Sequence, residues 1–147
     1  MLDQLNGAML AGGIAAAGGA LGMGFAGIVL LSVYKQAFSE GKKASGKMVA
    51  FVGAPMSQVI YGLILFFVVK NGADPGGAIN WFAVGAGLGI GAGGYIQGKV
   101  AAQAVDTFNT TDEGFGKYMG IIVFPELASI ISLVLGIIAA NGFGGGQ

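Results

Sequence analysis

The chain has 147 residues, of which 54% are hydrophobic and 10% are charged, and its formal net charge is zero. A soluble domain of average composition carries about 25% charged residues, so this composition argues against an ordinary soluble protein. The absence of cysteine and histidine excludes disulfides, catalysis by these residues, and metal or haem ligation through them. The seven basic residues are all lysines and form no basic patch, so nucleic acid is not expected as a partner.

Charged residues are concentrated in short segments that separate four long apolar runs. Three runs, at 4–34, 48–69 and 75–98, contain no charged residue, and the fourth, 118–147, contains Glu126 alone. Each run reaches the roughly 20 residues that a helix needs to cross a bilayer. The sequence therefore predicts an all-α, multi-pass membrane protein with four transmembrane helices.

The connections between the predicted helices indicate the orientation of the chain. The first connection, 35–47, holds four lysines and one acidic residue, and the third, 99–117, holds two lysines. The second, 70–75, is a short turn with a single lysine. Because lysine and arginine accumulate on the cytoplasmic side of membranes, we expect the first and third connections to be cytoplasmic and both termini to lie on the opposite side.

The sequence predicts two similar helical hairpins, one in each half of the chain. In the first and third predicted helices, residues 21–27 read LGMGFAG and residues 88–94 read LGIGAGG. In the second and fourth, a Gly-Lys pair is followed by a proline nine residues after the glycine, at Pro55 and Pro125. Each proline removes a backbone hydrogen bond and is expected to kink its helix.

This duplication divides the chain into two hairpins. The first comprises residues 1–73 and the second comprises residues 74–147. Aligning the two prolines places Met56 opposite Glu126. Only the second hairpin is therefore expected to carry a carboxylate inside the membrane.

Glycines recur at four-residue spacing in the first and third predicted helices. The spaced pairs are Gly18/Gly22, Gly87/Gly91, Gly89/Gly93 and Gly94/Gly98. Small residues at this spacing let helices approach closely in a membrane, so these two helices predict a thin layer, and the bulkier second and fourth helices predict a layer that faces lipid. A subunit with one thin and one thick layer is wedge-shaped and suits a closed homo-oligomeric ring with the thin layer inside. A compact four-helix bundle is the alternative.

Glu126 is the strongest functional candidate in the sequence. A carboxylate at the centre of a membrane helix costs on the order of 3 kcal/mol on insertion scales. A chain tolerates this cost where a proton, a bound cation or a hydrogen-bonding partner neutralises the group. We therefore expect Glu126 to take part in ion translocation.

Few other side chains within the predicted helices can offer an oxygen to a cation. One face of the second helix carries four positions at the spacing i, i+3, i+4 and i+7, which are Ala54, Ser57, Gln58 and Tyr61. The third helix adds Gln97 at its predicted cytoplasmic end. Counted from the flanking lysines, Gln58 and Glu126 both lie roughly 14–17 Å deep at 1.5 Å per residue and can share one level.

The hydroxyl of Ser57, the amides of Gln58 and Gln97 and the carboxylate of Glu126 form a set of hard oxygen donors. Such a set suits a small hard cation rather than a transition metal. The alternatives are helix–helix hydrogen bonding for Ser57 and Gln58, a polar helix end for Gln97, and an interfacial aromatic role for Tyr61.

Taken together, these features resemble the 16-kDa proteolipids, the K or c subunits that form the membrane rotor ring of V-type and A-type rotary ATPases. The resemblance covers the whole chain and is carried by the doubled hairpin, the glycine-rich helices and four motifs: Pro55-Met-Ser-Gln58, Tyr61-Gly62, Gln97-Gly-Lys-Val100 and Pro125-Glu126. It implies a non-catalytic subunit of an ion-translocating rotary ATPase, with no ATP site in this chain. The implied partners are identical subunits in a ring, a membrane stator subunit with a positive charge, a central-stalk subunit on the cytoplasmic face, and lipid.

The sodium-transporting branch of that family implies specific roles for the polar residues. The resemblance assigns five Na⁺ ligands, which are the backbone carbonyl of Ala54 and the side chains of Ser57, Gln58, Gln97 and Glu126. It also implies a hydrogen bond from Tyr61 to the carboxylate. Ser57 stands where threonine is common, and Leu127 follows the glutamate where a hydroxyl often sits. Either departure would weaken Na⁺ binding, so a rotor that carries H⁺ alone is the alternative.

Two other classes of protein share parts of the pattern. A small cation-coupled antiporter also has four short helices and one buried glutamate, but there the glutamate lies in the first helix and the chain is not doubled. A purely structural membrane proteolipid would have no use for Ser57, Gln58 and Glu126 at one level. Residues 89–94 fit the nucleotide motif G-x-G-x-x-G, but they stand inside an apolar helix without a preceding strand, so no nucleotide site is expected.

Overall fold

The computed structural model describes residues 2–71 and 78–142, where all regular secondary structure is helical. Five helices follow in chain order: α1 (Leu2–Ser39), α2 (Met48–Gly53), α3 (Met56–Asn71), α4 (Ala78–Thr111) and α5 (Phe115–Gly142). Three of the predicted helices correspond to α1, α4 and α5, and the second corresponds to α2 and α3 together. The predicted turn at 70–75 and the boundary at residue 73 between the two hairpins lie largely outside the described residues.

The two prolines affect their helices differently. At Pro55 the predicted kink is a break, which separates α2 from α3. The Phe51 carbonyl, which a proline four residues later cannot bond, accepts a hydrogen bond of 3.3 Å from the backbone N–H of Ala54. In contrast, α5 continues through Pro125 without interruption.

Helices α1 and α4 extend into the predicted connections 35–47 and 99–117. The buried residues of this part of α4 repeat at i, i+3, i+4 and i+7, as in an amphipathic helix; they are Ala101, Ala104, Val105 and Phe108. The expectation that Gln97 stands at the end of its helix is therefore wrong. Gln97 lies inside α4, roughly 21 Å from Thr111 at 1.5 Å per residue.

Three segments of the described chain are long and apolar enough to cross a membrane: Gly7–Ser39, Met48–Lys70 and Phe115–Asn141. They correspond to three of the four predicted spans. The described part of the fourth, 78–98, falls in α4, whose described residues are not apolar enough by the same measure. The reason is its glycine content, since glycine contributes little hydropathy of its own.

The two glycine-rich helices, α1 and α4, run parallel with their backbones in direct contact. Gly18 lies against Gly91, and Gly22 lies against Gly94 and Gly98, so closely that neither Gly18 nor Gly22 leaves room for a Cβ. Helix α3 packs on α1 and helix α5 packs on α4. This arrangement matches the predicted thin layer, while the ring that the layer suggested stays a prediction.

Replacing Gly22 with leucine is expected to disrupt the packing of α1 on α4, because the backbone of α4 occupies the space that the side chain needs. Overpacking typically costs about 1–3 kcal/mol, and a backbone neighbour yields less than a side chain. Gly24 is the matched control, because nothing lies within 4 Å of a Cβ built there. Thermal unfolding of the detergent-extracted protein checks the prediction, which fails if Gly22→Leu is as stable as Gly24→Leu.

Candidate ion-binding site

Glu126 is held by donors from two other helices. The Tyr61 hydroxyl on α3 donates a hydrogen bond of 2.7 Å to Oε1 of the carboxylate. The Gln97 amide Nε2 on α4 donates one of 3.4 Å to Oε2. These two contacts orient the partly buried carboxyl group of Glu126 between α3 and α4.

The break between α2 and α3 gathers three oxygens at the start of α3. The Ser57 Oγ lies 3.2 Å from the carbonyl oxygen of Ala54 and 3.1 Å from Oε1 of Gln58, and it can donate to either. The Gln58 side chain is fully buried. Tyr61, one turn further along the same face, joins this group to the carboxylate of Glu126.

Two buried polar atoms at the site have no hydrogen-bond partner. They are Oε1 of Gln97 and Nε2 of Gln58, on side chains that are both fully buried. An unsatisfied buried polar group costs about 1–3 kcal/mol. Helix–helix hydrogen bonding, the alternative role for Gln58, would satisfy its Nε2, which has no partner. The unpaired amide oxygen of Gln97 fits a residue that ligates a cation.

The chemistry of the site favours a monovalent hard cation. Among the described residues no group of three or more His, Cys, Asp or Glu side chains comes together. The oxygens belong instead to a backbone carbonyl, a hydroxyl, two amides and the carboxylate of Glu126, which are the donors that hard cations prefer. One carboxylate supplies one negative charge, which balances one monovalent cation or one proton.

The equivalent position in the first hairpin carries no such chemistry. Met56, which aligns with Glu126, is 54% exposed on the outer surface of α3. Leu127, one of the two departures from the sodium pattern, is 50% exposed. Neither side chain is enclosed with the buried amides of Gln58 and Gln97, so the described part of the chain holds one candidate site of this kind.

The sequence analysis missed one residue of this region. Ser129 is fully buried, and its Oγ donates a hydrogen bond of 3.3 Å to the backbone carbonyl of Ile90 on α4. Its position three residues after Glu126, on the same face of α5, is the signal that points to it.

Comparison with known proteins finds two similarities, both to membrane subunits of ATP synthases. Residues 81–139, which include Gln97 and Glu126, match the family of ATP synthase C subunits. The chain is also similar to the A-type ATP synthase subunit K of Methanocaldococcus jannaschii, with 34% identity over 139 residues. This alignment covers 89% of the chain and 61% of the archaeal protein, so the chain spans about three-fifths of the length of that relative.

Proposed function

We propose that this protein is a rotor proteolipid of a rotary ATPase of the A or V type, and that Glu126 carries Na⁺ across the membrane. The observation that supports this most directly is the geometry at Glu126. Its carboxylate accepts hydrogen bonds from Tyr61 and Gln97, next to a buried Gln97 oxygen that has no partner. The similarity to the C and K subunits of ATP synthases supports the rotor class.

The proposal assigns the ion to a set of oxygens on α3, α4, α5 and the break between α2 and α3. Its ligands are the Ala54 carbonyl, Ser57 Oγ, Gln58 Oε1, Gln97 Oε1 and the Glu126 carboxylate. In this role, Tyr61 donates to the carboxylate and holds it at the level of the amides. The bound ion neutralises the only charge at the site, which lowers the cost of keeping Glu126 among apolar side chains.

The outer faces of α3 and α5 suit contact with lipid in such a rotor. Large apolar side chains there have half or more of their surface exposed, including Ile60, Leu63, Phe124, Ile131 and Leu135. In the proposed cycle, identical subunits form a ring. Glu126 is neutralised by its bound ion while its subunit faces lipid. Ion exchange then takes place at a stator subunit, whose positive charge stabilises the free carboxylate.

We assign the end of the molecule that bears residues 40–47 to the cytoplasm and to a central-stalk subunit. The two connections at this end meet, because Lys43 and Asp112 line one cleft of about 340 Å³. Lys42, Lys43 and Lys47 are exposed there. Lysines accumulate on the cytoplasmic side of membrane proteins, which supports this orientation.

Labelling by a hydrophobic carbodiimide tests the proposed function, because the reagent reacts with a protonated carboxyl group in an apolar setting. We expect Glu126 to be labelled and saturating Na⁺ to slow the reaction at least about tenfold, the factor that 1.4 kcal/mol of binding provides. Protection should weaken as the pH falls, since protons and Na⁺ compete for the same carboxylate.

The outcomes separate the parts of the proposal. Preferential labelling of any other acidic residue would contradict the assignment of Glu126. If Glu126 is labelled but Na⁺ leaves the rate unchanged from neutral to alkaline pH, the carried ion is H⁺. Potassium at the same ionic strength serves as the control for a general salt effect.

A further inference from the structure

The second hairpin is joined along a continuous seam between α4 and α5, which runs away from the candidate site. The seam has three successive levels of contact, in which the α4 and α5 partners are Gln97 with Glu126, Gly93 with Ser129, and Gly89 with Ser132. The α5 members are spaced three residues apart, so they share one face of that helix. Ser129 is therefore the first seam residue beyond the carboxylate.

The hydrogen bond of Ser129 is unusual for a serine inside a helix. Such a serine commonly donates to a carbonyl in the preceding turn of its own helix, as Ser132 does to Ala128 at 2.8 Å. Ser129 donates instead to Ile90 on α4, at 3.3 Å, and it is fully buried. This bond ties α5 to the backbone of α4 one turn from Glu126.

Gly93 provides the space for this bond. A Cβ built on Gly93 would collide with the Oγ of Ser129 and would lie 3.1 Å from the carbonyl oxygen of Pro125. Gly93 is also four residues before Gln97, on the same face of α4. The position of Ser129 and the position of the Gln97–Glu126 contact therefore depend on the same close approach of the two helices.

The first hairpin shows what the same seam looks like without the carboxylate. Aligning Pro55 with Pro125 places Val59 opposite Ser129. A Cβ on Gly19 of α1 would lie 2.7 Å from Cγ2 of Val59 and 2.9 Å from the carbonyl oxygen of Pro55. A valine thus fills this position in the hairpin that carries Met56, so close packing of the seam does not require a hydroxyl.

We propose that Ser129 is a positioning residue for Glu126. Its hydrogen bond to Ile90 sets the rotation and depth of α5 on α4, so that the carboxylate meets Gln97 and Tyr61 at once. Ser129 occurs in the same hairpin as Glu126, whereas the first hairpin, which has no carboxylate to position, carries Val59 at this place. The claim that Ser129 positions Glu126 depends only on the contacts of Ser129. The claim that this positioning affects ion affinity rests on the proposed function.

Ser129→Val tests the inference, because it installs the residue that the first hairpin uses at the same place. We expect the Na⁺ concentration for half-protection of Glu126 from the carbodiimide to rise roughly 2- to 12-fold, the range that corresponds to loss of one ordinary hydrogen bond. We also expect the labelling rate without Na⁺ to change at least about threefold. Ser129→Ala, which removes only the Oγ, should act in the same direction and serves if the valine variant fails to fold.

Ser132→Ala is the matched control, since that hydroxyl bonds within α5. It should leave both measurements at the wild-type values. A purely structural role for Ser129 would lower the yield of folded protein but leave the half-protection concentration and the Na⁺-free rate of the folded fraction unchanged, and this result would overturn the inference. If Na⁺ protects no variant, including the wild type, the Na⁺ assignment fails, and the Na⁺-free labelling rate still decides the role of Ser129.

Discussion

Glu126→Gln is expected to abolish ion transport while the protein still folds and assembles. The substitution keeps the size of the side chain and its ability to accept from Tyr61 and donate or accept toward Gln97. It removes the one negative charge at the site, so neither Na⁺ nor a proton can be bound and released. Vesicles reconstituted with the whole ATPase complex that contains the variant should show no ATP-driven uptake of ions above background, and carbodiimide labelling of the protein should disappear.

Glu113→Gln provides the control for this experiment. Glu113 lies in the exposed segment between α4 and α5, outside the apolar spans. Its loss should leave transport and labelling at the wild-type values. The assignment of the transported ion to Glu126 would be contradicted if Glu126→Gln retained transport, or if only Glu113→Gln lost it.

The helices themselves were largely readable from the sequence, because charge-free runs and helical apolar spacing are local signals. A kink in the second helix was also indicated, since Pro55 lacks the N–H that would bond Phe51, but the same signal at Pro125 gives no break, so the full break at Pro55 was not predicted. The length of α4 was not predicted. Lys99 and Asp106 suggested a loop, although the spacing of the buried residues from Ala101 to Phe108 follows an amphipathic helix and carried the missing signal.

The candidate site was predictable in composition but not in arrangement. The depth count placed Gln58 and Glu126 at one level, yet which hydrogen bonds form depends on the rotation of α5 against α4. That rotation is set by contacts between residues far apart in the chain, such as Ser129 with Ile90. Periodicity within one helix contains no information about a carbonyl on another.

Packing explains why the two hairpins resemble each other in sequence and differ in chemistry. Pro55 and Pro125 both lie with their carbonyls against a glycine of the neighbouring helix, Gly19 in one hairpin and Gly93 in the other. The backbone arrangement is therefore preserved, while Met56 and Val59 replace the polar residues of the second hairpin. The close helix packing at these glycines therefore does not depend on the polar residues of the site.

Gln97→Leu is expected to lower Na⁺ affinity without destabilising the protein. Leucine fills a similar volume and removes both the hydrogen bond to Glu126 and the buried amide oxygen that has no partner. Loss of a hydrogen bond to a charged group costs about 1.5–3 kcal/mol, which corresponds to a roughly 10- to 150-fold rise in the Na⁺ concentration for half-protection. In Na⁺-free medium, the same change also removes an unsatisfied buried group worth about 1–3 kcal/mol, which offsets the lost hydrogen bond, so thermal stability should stay close to that of the wild type.

Gln103→Leu is the matched control for this substitution, because Gln103 lies on the same helix but is exposed. It should change neither Na⁺ protection nor thermal stability in Na⁺-free medium by a measurable amount. The combination expected of Gln97→Leu, weaker binding with undiminished stability, distinguishes a cation ligand from a glutamine that only holds α4 against α5. If Gln97→Leu unfolds at a lower temperature and the folded fraction binds Na⁺ as the wild type does, Gln97 is a packing residue, and the ion must be held by the oxygens of α3 and Glu126 alone.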